Sequence, residues 1–307
     1  MRRIMILGAN GFLGSSLLNK LQLDNNNCIT TFCRSKSQSN IGAAFEINDD
    51  LRNLYLYTKQ IRQQDYIFYM AGSSGAALSS NKGPEFIINN EVNLLSLLDI
   101  LKNSPNPPGI LFPSSRLVYE ASQNRVSEEG CLCPNSIYGL SKLHSENLLA
   151  LYQRQYNIPF IVFRISIPFG FTNVLHNGYG IVNHFIRQSV SGESIKIFGK
   201  GDQKRDIIYI SDLNEVFCRS MNEFDKLKNK VFNCGGLNIY SLSDIAYTVV
   251  DRFKSGSVQH VEWPDEYKKV ETGDINLNSD KLYSQLGFAP KFDLDGALSD
   301  IKSIMSL

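Results

Sequence analysis

The stretch RIMILGANGFLGSSLLNKL, residues 3–21, contains a short apolar strand, a glycine-rich turn and a helix in direct succession. Its three glycines have the spacing of the turn that receives the pyrophosphate of a dinucleotide. Glycine lets the backbone approach the phosphates, and the helix N-terminus adds N–H donors and positive potential. We therefore predict a dinucleotide site at this turn. Its predicted cofactor-binding residues are Gly8, Asn10, Gly11, Phe12, Leu13 and Gly14.

Beyond this turn, the first half of the chain alternates apolar runs with helical patterns. Predicted strands are CITTFC (28–33), DYIFYMAG (65–72), GILFPSS (109–115) and FIVFRI (160–165), and predicted helices include VNLLSLLDILKN (92–103) and one that ends near Tyr156. Apolar strands without alternation, separated by helices, are typical of a parallel sheet covered on both faces. We predict an α/β fold with a doubly wound Rossmann sheet formed by residues 1–165, which also takes back residues 207–234.

The pattern of the sequence changes after residue 165. Glycine and proline interrupt it, the short runs IKIF (195–198) and DIIYI (206–210) predict strands, and SLSDIAYTVVDRF (241–253) predicts a helix capped by Ser241 or Ser243. We predict that residues 166–307 form a smaller substrate-binding lobe.

Composition excludes several classes of function. The 307 residues are 43% apolar and 20% charged, with a net charge of +1, so no basic surplus indicates a nucleic-acid partner. The apolar runs are too short for a membrane span, and no export signal follows Met1. The six cysteines show no metal-ligand spacing. We expect a cytoplasmic protein that binds no metal, membrane or nucleic acid.

The exit of the second strand bears on the choice of cofactor. An NAD site usually places a carboxylate there for the ribose hydroxyls, whereas a 2′-phosphate favours an arginine. Here Arg34 is followed by Ser35 and Lys36, and no acid precedes Glu46. We expect NADP(H), because a guanidinium can bind the phosphate in bidentate fashion. NAD(H) is the alternative, with Arg34 projecting into solvent.

Catalysis is predicted on the segment NSIYGLSKLHSE, residues 135–146. Tyr138 and Lys142 are four residues apart and so lie on one face of a helix. A phenol has a pKa near 10, and a neighbouring ammonium favours the phenolate and lowers that pKa. Lys142 could also donate to the ribose hydroxyls of the nicotinamide. Taken alone, such a pair is more often a surface feature, but Ser115, at the end of a predicted strand, is placed to donate to a substrate oxygen.

In order and spacing, these motifs resemble the extended short-chain dehydrogenase/reductases of the nucleotide-sugar epimerase/dehydratase branch. Further matching segments are YMAG (69–72), GKGDQKRDIIYISDL (199–213), VFNCGG (231–236) and TGDINLNSDKLYSQLGFAP (272–290). The resemblance implies a catalytic triad of Ser115, Tyr138 and Lys142, in which Tyr138 is the acid/base. It adds Asp50, Leu51, Ala71, Gly72 and Asn93 to the cofactor site.

The resemblance also implies the partners. The substrate would be a nucleoside-diphosphate sugar, whose diphosphate Arg205 would clamp and whose base would pack on Phe198. Members commonly dimerise through two helices per subunit, here within residues 92–103 and 141–156, so we expect a homodimer.

Departures from the family pattern bear on the reaction. Dehydratases of this branch carry Thr-Asp-Glu where this chain has Ser115-Arg116-Leu117, which disfavours dehydration. Ile167 replaces a common asparagine, and Glu271 replaces a second diphosphate-binding arginine. Because Arg34 favours NADP(H), we expect a reductase acting at C4 of a 4-keto-(6-deoxy)hexose. An NAD-dependent nucleotide-sugar 4-epimerase is the alternative, and a non-catalytic NADP-binding regulator is a second one.

Overall fold

A parallel sheet of seven strands forms the centre of the protein. The computed structural model describes residues 1–36, 44–172, 180–264, 268 and 271–305. The sheet has the order β3-β2-β1-β4-β5-β7-β11, and neighbouring strands are parallel throughout. Its strands are β1 (Arg2–Leu7), β2 (Asn27–Cys33), β3 (Phe45–Asn48), β4 (Tyr66–Tyr69), β5 (Gly109–Ser115), β7 (Phe160–Ile165) and β11 (Lys230–Cys234).

Helices cover both faces of this sheet. The described α-helices are α1 (Phe12–Leu21), α2 (Thr58–Arg62), α3 (Ala76–Asn81), α4 (Gly83–Ile87), α5 (Asn93–Leu101), α6 (Ile137–Tyr156), α7 (Ile181–Val190), α8 (Ile210–Asn222), α9 (Phe224–Leu227), α10 (Leu242–Phe253), α11 (Asp280–Leu286) and α12 (Leu294–Ile304). Short 3-10 helices span Leu51–Tyr57 and Arg116–Val118.

Alternation along β1 shows how the two faces are filled. Ile4 and Ile6 are buried in one core with residues of α1 and α8, whereas Met5 and Leu7 are buried in a second core with residues of α5 and α6. Successive side chains of a strand point to opposite faces, so a strand apolar at every position is buried on both. The predicted doubly wound α/β fold is confirmed.

The strand order locates a crevice. The chain passes from β1 to β2 on one side, and β4 lies on the other side of β1, so the direction of winding reverses between β1 and β4. In open α/β sheets, ligands bind beyond the carboxyl ends of the strands at such a reversal. The glycine-rich turn follows β1 at this point.

Smaller sheets contain the remaining described strands, which are β6 (Arg125–Val126), β8 (Ile167–Phe169), β9 (Ser194–Phe198), β10 (Lys204–Tyr209), β12 (Ile239–Ser241), β13 (Ser257–Val261) and β14 (Asn276–Leu277). The strands expected at IKIF and DIIYI are confirmed as β9 and β10. Ser241 caps α10 through a reciprocal capping box with Asp244. β3, which contains Glu46, was not predicted, and the division into two lobes stays a prediction.

A π-helical turn, Ile88–Val92, joins α4 to α5. Asn90 in this turn is buried, and its amide donates to Ser141 Oγ (2.9 Å) and to the Ser73 carbonyl (3.1 Å). Its Oδ1 accepts from the Ser73 N–H (2.7 Å). Asn90 thus ties the loop after β4 to α6, which carries Tyr138.

A buried ion pair fixes the other side of α6. Arg164 of β7 donates through Nη2 to Glu146 Oε2 (2.7 Å), and the two side chains are only 6% and 5% exposed. Ser114 of β5 also donates to this carboxylate, and Arg164 Nη1 donates to the Tyr119 hydroxyl (2.7 Å). These contacts join α6 to two central strands immediately behind the predicted triad.

We expect the Arg164→Met variant to lower the free energy of unfolding by about 3–5 kcal/mol, because it leaves the Glu146 carboxylate buried without its cation. Urea denaturation at neutral pH measures this loss. The matched control is Arg125→Met, which removes an exposed pair with Asp280 and should cost less than about 1 kcal/mol. Equal losses in the two variants would contradict the prediction.

Candidate active site

The turn after β1 has the shape that a dinucleotide pyrophosphate requires. Gly8 has a φ of +86°, and a Cβ at this position would lie 2.7 Å from Ala71 Cα. A Cβ at Gly14 would lie 2.3 Å from the Gly8 carbonyl oxygen. Side chains are therefore excluded at both positions, and α1 begins at Phe12 with its N-terminus directed at the crevice. These residues fit a nicotinamide dinucleotide.

Two adjoining cavities follow the crevice. The first, of about 320 Å³, is lined by Gly8, Asn10, Gly11, Arg34, Asp49, Asp50, Leu51, Ala71, Gly72 and Asn93, among others. The second, of about 390 Å³, is lined by Gly11, Phe12, Leu13, Ala71, Gly72, Ser115, Tyr138 and Lys142, among others. Gly11, Ala71 and Gly72 line both cavities. The structure thus brings most of the predicted cofactor residues and the predicted triad to one cleft.

Two asparagines carry unused acceptors in the first cavity. Asn10 donates through its amide to the Ser35 carbonyl (2.7 Å), which links the turn after β1 to the exit of β2. Asn93 is buried in α5. Among the described residues, neither Asn10 Oδ1 nor Asn93 Oδ1 has a hydrogen-bond partner. Buried acceptors of this kind are normally satisfied, so a donor from a bound ligand suits both.

Tyr138 and Ser115 meet at the second cavity. Ser115 ends β5, and its hydroxyl accepts from the Leu117 N–H (3.2 Å) and makes a hydrogen bond with the Tyr138 phenol. Burial raises the pKa of Tyr138, whereas the bond with Ser115 and the charge of Arg116 lower it. The structure therefore assigns to Arg116 the electrostatic influence on the phenol that the sequence assigned to Lys142.

Lys142 is directed elsewhere. Its Nζ donates to the Pro113 carbonyl (2.8 Å) and lies 4.7 Å from the centroid of the Phe112 ring. Burial lowers the pKa of Lys142 to about 8, although the nearby Glu146 carboxylate raises it. The ammonium is thus held at the floor of the second cavity, where it can serve as a donor.

Gly139 sets the distance between the strand and the helix that carry these groups. A Cβ at Gly139 would lie 2.2 Å from the Leu117 carbonyl oxygen. The N-terminus of α6, capped by Ser136, therefore packs directly on the turn that follows Ser115. The glycine beside Tyr138 is the signal in the sequence for this close approach.

The two predicted substrate residues are engaged with protein groups. Arg205 is buried, and its Nη2 donates to Glu271 Oε1 (2.6 Å) while Nη1 lies 3.7 Å from Asp274 Oδ1. Phe198 packs against Trp263, with ring centroids 5.4 Å apart. Trp263 as a neighbour of Phe198, and Glu271 as the partner of Arg205, were not expected from the sequence.

A comparison with family models assigns residues 4–235 to the "NAD dependent epimerase/dehydratase family". The chain belongs to this family. The predicted resemblance is thereby confirmed, and the protein is an extended short-chain dehydrogenase/reductase that acts on nucleotide sugars with NAD or NADP.

Relatives in the epimerase/dehydratase family carry different activities. The chain is 28% identical to an uncharacterised UDP-glucose epimerase of Bacillus subtilis, over 99% of this chain and 98% of the relative. It is 32% identical to a dTDP-4-dehydro-6-deoxyglucose reductase of Escherichia coli, over 64% of this chain and 61% of the relative. The solved UDP-glucuronic acid 4-epimerase of Bacillus cereus superposes with a TM-score of 0.88 over 99% of both chains, at 22% identity. That last likeness shows the fold.

In the described part of the chain, no group of three or more His, Cys, Asp or Glu side chains could hold a metal ion. Within the same residues, no helix has the length and apolarity needed to cross a bilayer.

We expect cofactor binding to weaken as the pH rises through about 8, because Lys142 then loses the charge with which it would hold a ribose hydroxyl. The dissociation constant of NAD, followed by calorimetry from pH 6.5 to 9.5, tests this. Lys142→Met should bind NAD weakly at every pH, and Lys142→Arg should remove the break because its charge persists. The prediction fails if the parent binds NAD equally at pH 7 and pH 9.5.

Proposed function

We propose that the protein is an NAD-dependent 4-epimerase of a nucleoside-diphosphate sugar, which was the alternative to the reductase expected from the sequence. The observation that carries this proposal is the convergence of Ser115, Tyr138 and Lys142 on a cavity that adjoins the glycine-rich turn. The full-length relative named as a UDP-glucose epimerase supports it.

The side chains suit proton transfer at a sugar hydroxyl. Tyr138 would take the proton of the C4 hydroxyl and later return it, while Ser115 donates a hydrogen bond to the same oxygen. Lys142 would hold the cofactor ribose, and Arg116 would favour the phenolate. The bound nicotinamide supplies the position that accepts and returns a hydride. Because epimerisation is redox-neutral over the whole cycle, it needs no external reductant.

Two other activities receive less support. A dehydratase needs an acid and a base where this chain has Arg116 and Leu117, and Arg116 is a buried cation in the structure. A regulator without catalysis would have no use for a phenol and a serine hydroxyl in hydrogen-bond contact at a cavity.

We propose NAD in preference to NADP. β3 lies beside β2, so Asp49 and Asp50 at its end share the first cavity with Arg34. Hydrogen bonds lower the pKa of both carboxyls, chiefly from Asn53 to Asp49 and from Arg52 to Asp50. Two carboxylates in this cavity would oppose a 2′-phosphate.

Reduction of a 4-keto sugar with NADPH is the second candidate, because Arg34 lines the same cavity and could bind that phosphate. Two assays separate the candidates. Interconversion of UDP-glucose and UDP-galactose, or of the corresponding dTDP sugars, with no added reductant supports the epimerase. Consumption of NADPH with dTDP-4-keto-6-deoxyglucose, and no interconversion, would replace it with the reductase. Mass analysis of nucleotides released from the purified protein identifies the cofactor.

We expect Tyr138→Phe to lower kcat by at least about 100-fold, because general acid–base catalysis typically contributes that much or more. The affinity for NAD should stay within about twofold of the parent. Epimer formation followed by proton NMR gives the rate. Tyr156→Phe is the control, since this half-exposed tyrosine lies at the far end of the same helix. A Tyr138→Phe variant as fast as the parent would rule out the proposed acid/base.

We also propose that two copies pair through α5 and α6, as the sequence led us to expect. Leu95 of α5 and Leu140 of α6 are 37% and 38% exposed, and Val92, immediately before α5, is 47% exposed. A second copy could cover them in a four-helix arrangement. The cytoplasmic location stays a prediction that cell fractionation can test.

We expect the parent to have twice the chain mass of 34.6 kDa in light scattering, and Leu95→Glu to shift it towards the single-chain mass. A charge placed between the paired helices would lose its hydration, which disfavours association. Leu23→Glu changes an 80% exposed leucine beyond the end of α1 and should leave the mass unchanged. A parent that is monomeric would refute the proposal.

A further inference from the structure

The loop after β4 places one polar side chain at the junction of the two cavities. The residues that line both cavities are Gly11, Met70, Ala71, Gly72 and Ser73. Of these, only Ser73 has a side chain that can donate a conventional hydrogen bond. It is half-buried, so part of its surface remains accessible. A ligand that extends from one cavity into the other therefore has to pass the Ser73 hydroxyl.

The side chain of Asn90 fixes the backbone of Ser73. Asn90 Oδ1 accepts from the Ser73 N–H (2.7 Å), and its Nδ2 donates to the Ser73 carbonyl oxygen (3.1 Å). This approach needs Gly72, because φ is +141° there and a Cβ would lie 2.6 Å from Asn90 Oδ1. Asn90 is buried and also donates to Ser141 Oγ of α6 (2.9 Å). The position of Ser73 is thus set before a ligand binds.

The neighbouring Asn89 sets the direction of the Ser73 hydroxyl. Asn89 Nδ2 donates to Ser73 Oγ (2.9 Å), which occupies one acceptor position of that oxygen. A serine hydroxyl carries one donor besides its acceptor positions. Within the described part of the chain, the hydrogen of this hydroxyl has no acceptor. It is therefore available to an acceptor atom of a ligand in the cleft.

The electrostatics of the junction suit an anion held by neutral donors. None of the residues that line both cavities is charged; the cations that line one cavity are Arg34 in the first and Lys142 in the second. Gly11 is the N-cap of α1, so the N–H groups and the positive end of that helix dipole lie at the junction. Phosphate oxygens are strong acceptors of such hydrogen bonds.

We infer that Ser73 is a further ligand-binding residue, whose hydroxyl donates to a diphosphate oxygen at the junction. The inference rests on the proposed function in that a dinucleotide and a nucleoside-diphosphate sugar share this cleft, and it is the same for an epimerase and a reductase. Both ligands contain a diphosphate. Because Gly11 of the glycine-rich turn lines the same junction, the partner is assigned to the dinucleotide.

Preorganisation adds to the strength of this contact. Asn90 holds the backbone of Ser73 and Asn89 holds its hydroxyl, so little conformational freedom is lost when the ligand binds. A hydrogen bond to a charged oxygen is also stronger than one between neutral groups. Removal of the hydroxyl should therefore weaken binding measurably while the fold is kept.

Diphosphates and monophosphates of the same nucleoside test the inference. The dissociation constants of NAD, ADP, AMP, UDP and UMP are measured by calorimetry for the parent and for Ser73→Ala, which keeps both backbone bonds to Asn90. We expect Ser73→Ala to weaken NAD and ADP by at least about tenfold, as for a lost hydrogen bond to a charged group. AMP lacks the phosphate on the nicotinamide side, so AMP, UDP and UMP should change less than about twofold.

Two further variants and a control complete the test. Ser73→Thr keeps the hydroxyl and should bind NAD within about threefold of the parent, whereas Asn89→Leu frees the direction of the hydroxyl and should weaken NAD by about two- to fivefold. The control is Ser80→Ala, at an exposed serine of α3, which should leave every dissociation constant unchanged.

The outcomes are distinct. A loss on UDP but not on NAD or ADP would uphold Ser73 as a diphosphate ligand and overturn its assignment to the dinucleotide. Equal losses on ADP and AMP, or no loss on any diphosphate, would overturn the inference altogether. Because these are binding measurements, a protein that binds as expected but does not interconvert sugars would refute the 4-epimerase and leave the role of Ser73 standing.

Discussion

The carboxylate of Glu146 is the point on which the position of helix α6 depends. It accepts hydrogen bonds from Arg164 of β7 and Ser114 of β5, and it is almost completely buried. Helix α6 is thereby held to two strands of the central sheet at the level of Lys142, whose ammonium it also influences. A buried charge stabilises a structure only when its partners are in place, so this contact enforces one position of the helix.

The position of α6 determines the environment of the Tyr138 phenol. Tyr138 lies in the first turn of α6, where the helix dipole favours a negative charge. Burial disfavours the phenolate and raises the pKa of Tyr138, whereas Ser115 and Arg116 lower that pKa. Such opposing effects on one pKa are frequent at groups that exchange protons.

The sequence predicted the parts that depend on local pattern. The glycine spacing located the turn after β1, the continuous apolar strands indicated a sheet covered on both faces, and the order of motifs placed Ser115, Tyr138 and Lys142 in one site. The lobe boundary and the residue roles stay predictions.

The contacts that could not be predicted from the sequence depend on side-chain direction and on pairing between distant segments. Lys142 has the spacing to face Tyr138 but reaches the Pro113 carbonyl. Arg205 has the motif position of a diphosphate ligand but meets Glu271, 66 residues further along the chain. Asp50 was expected at the cofactor site, but Asp49 was not. Both line the first cavity because β3 pairs with β2, and nothing local indicated that strand.

The π-helical turn at Ile88–Val92 has a consequence for changes in chain length. An α-helix advances about 100° per residue, so deleting one position from this widened turn would restore regular winding and swing Asn90 away from Ser73 and Ser141. Homologous chains that differ by a single indel in this segment would then have to anchor the loop after β4 by other means. The direction in which Asn90 points therefore limits which insertions and deletions the chain can accept in this segment.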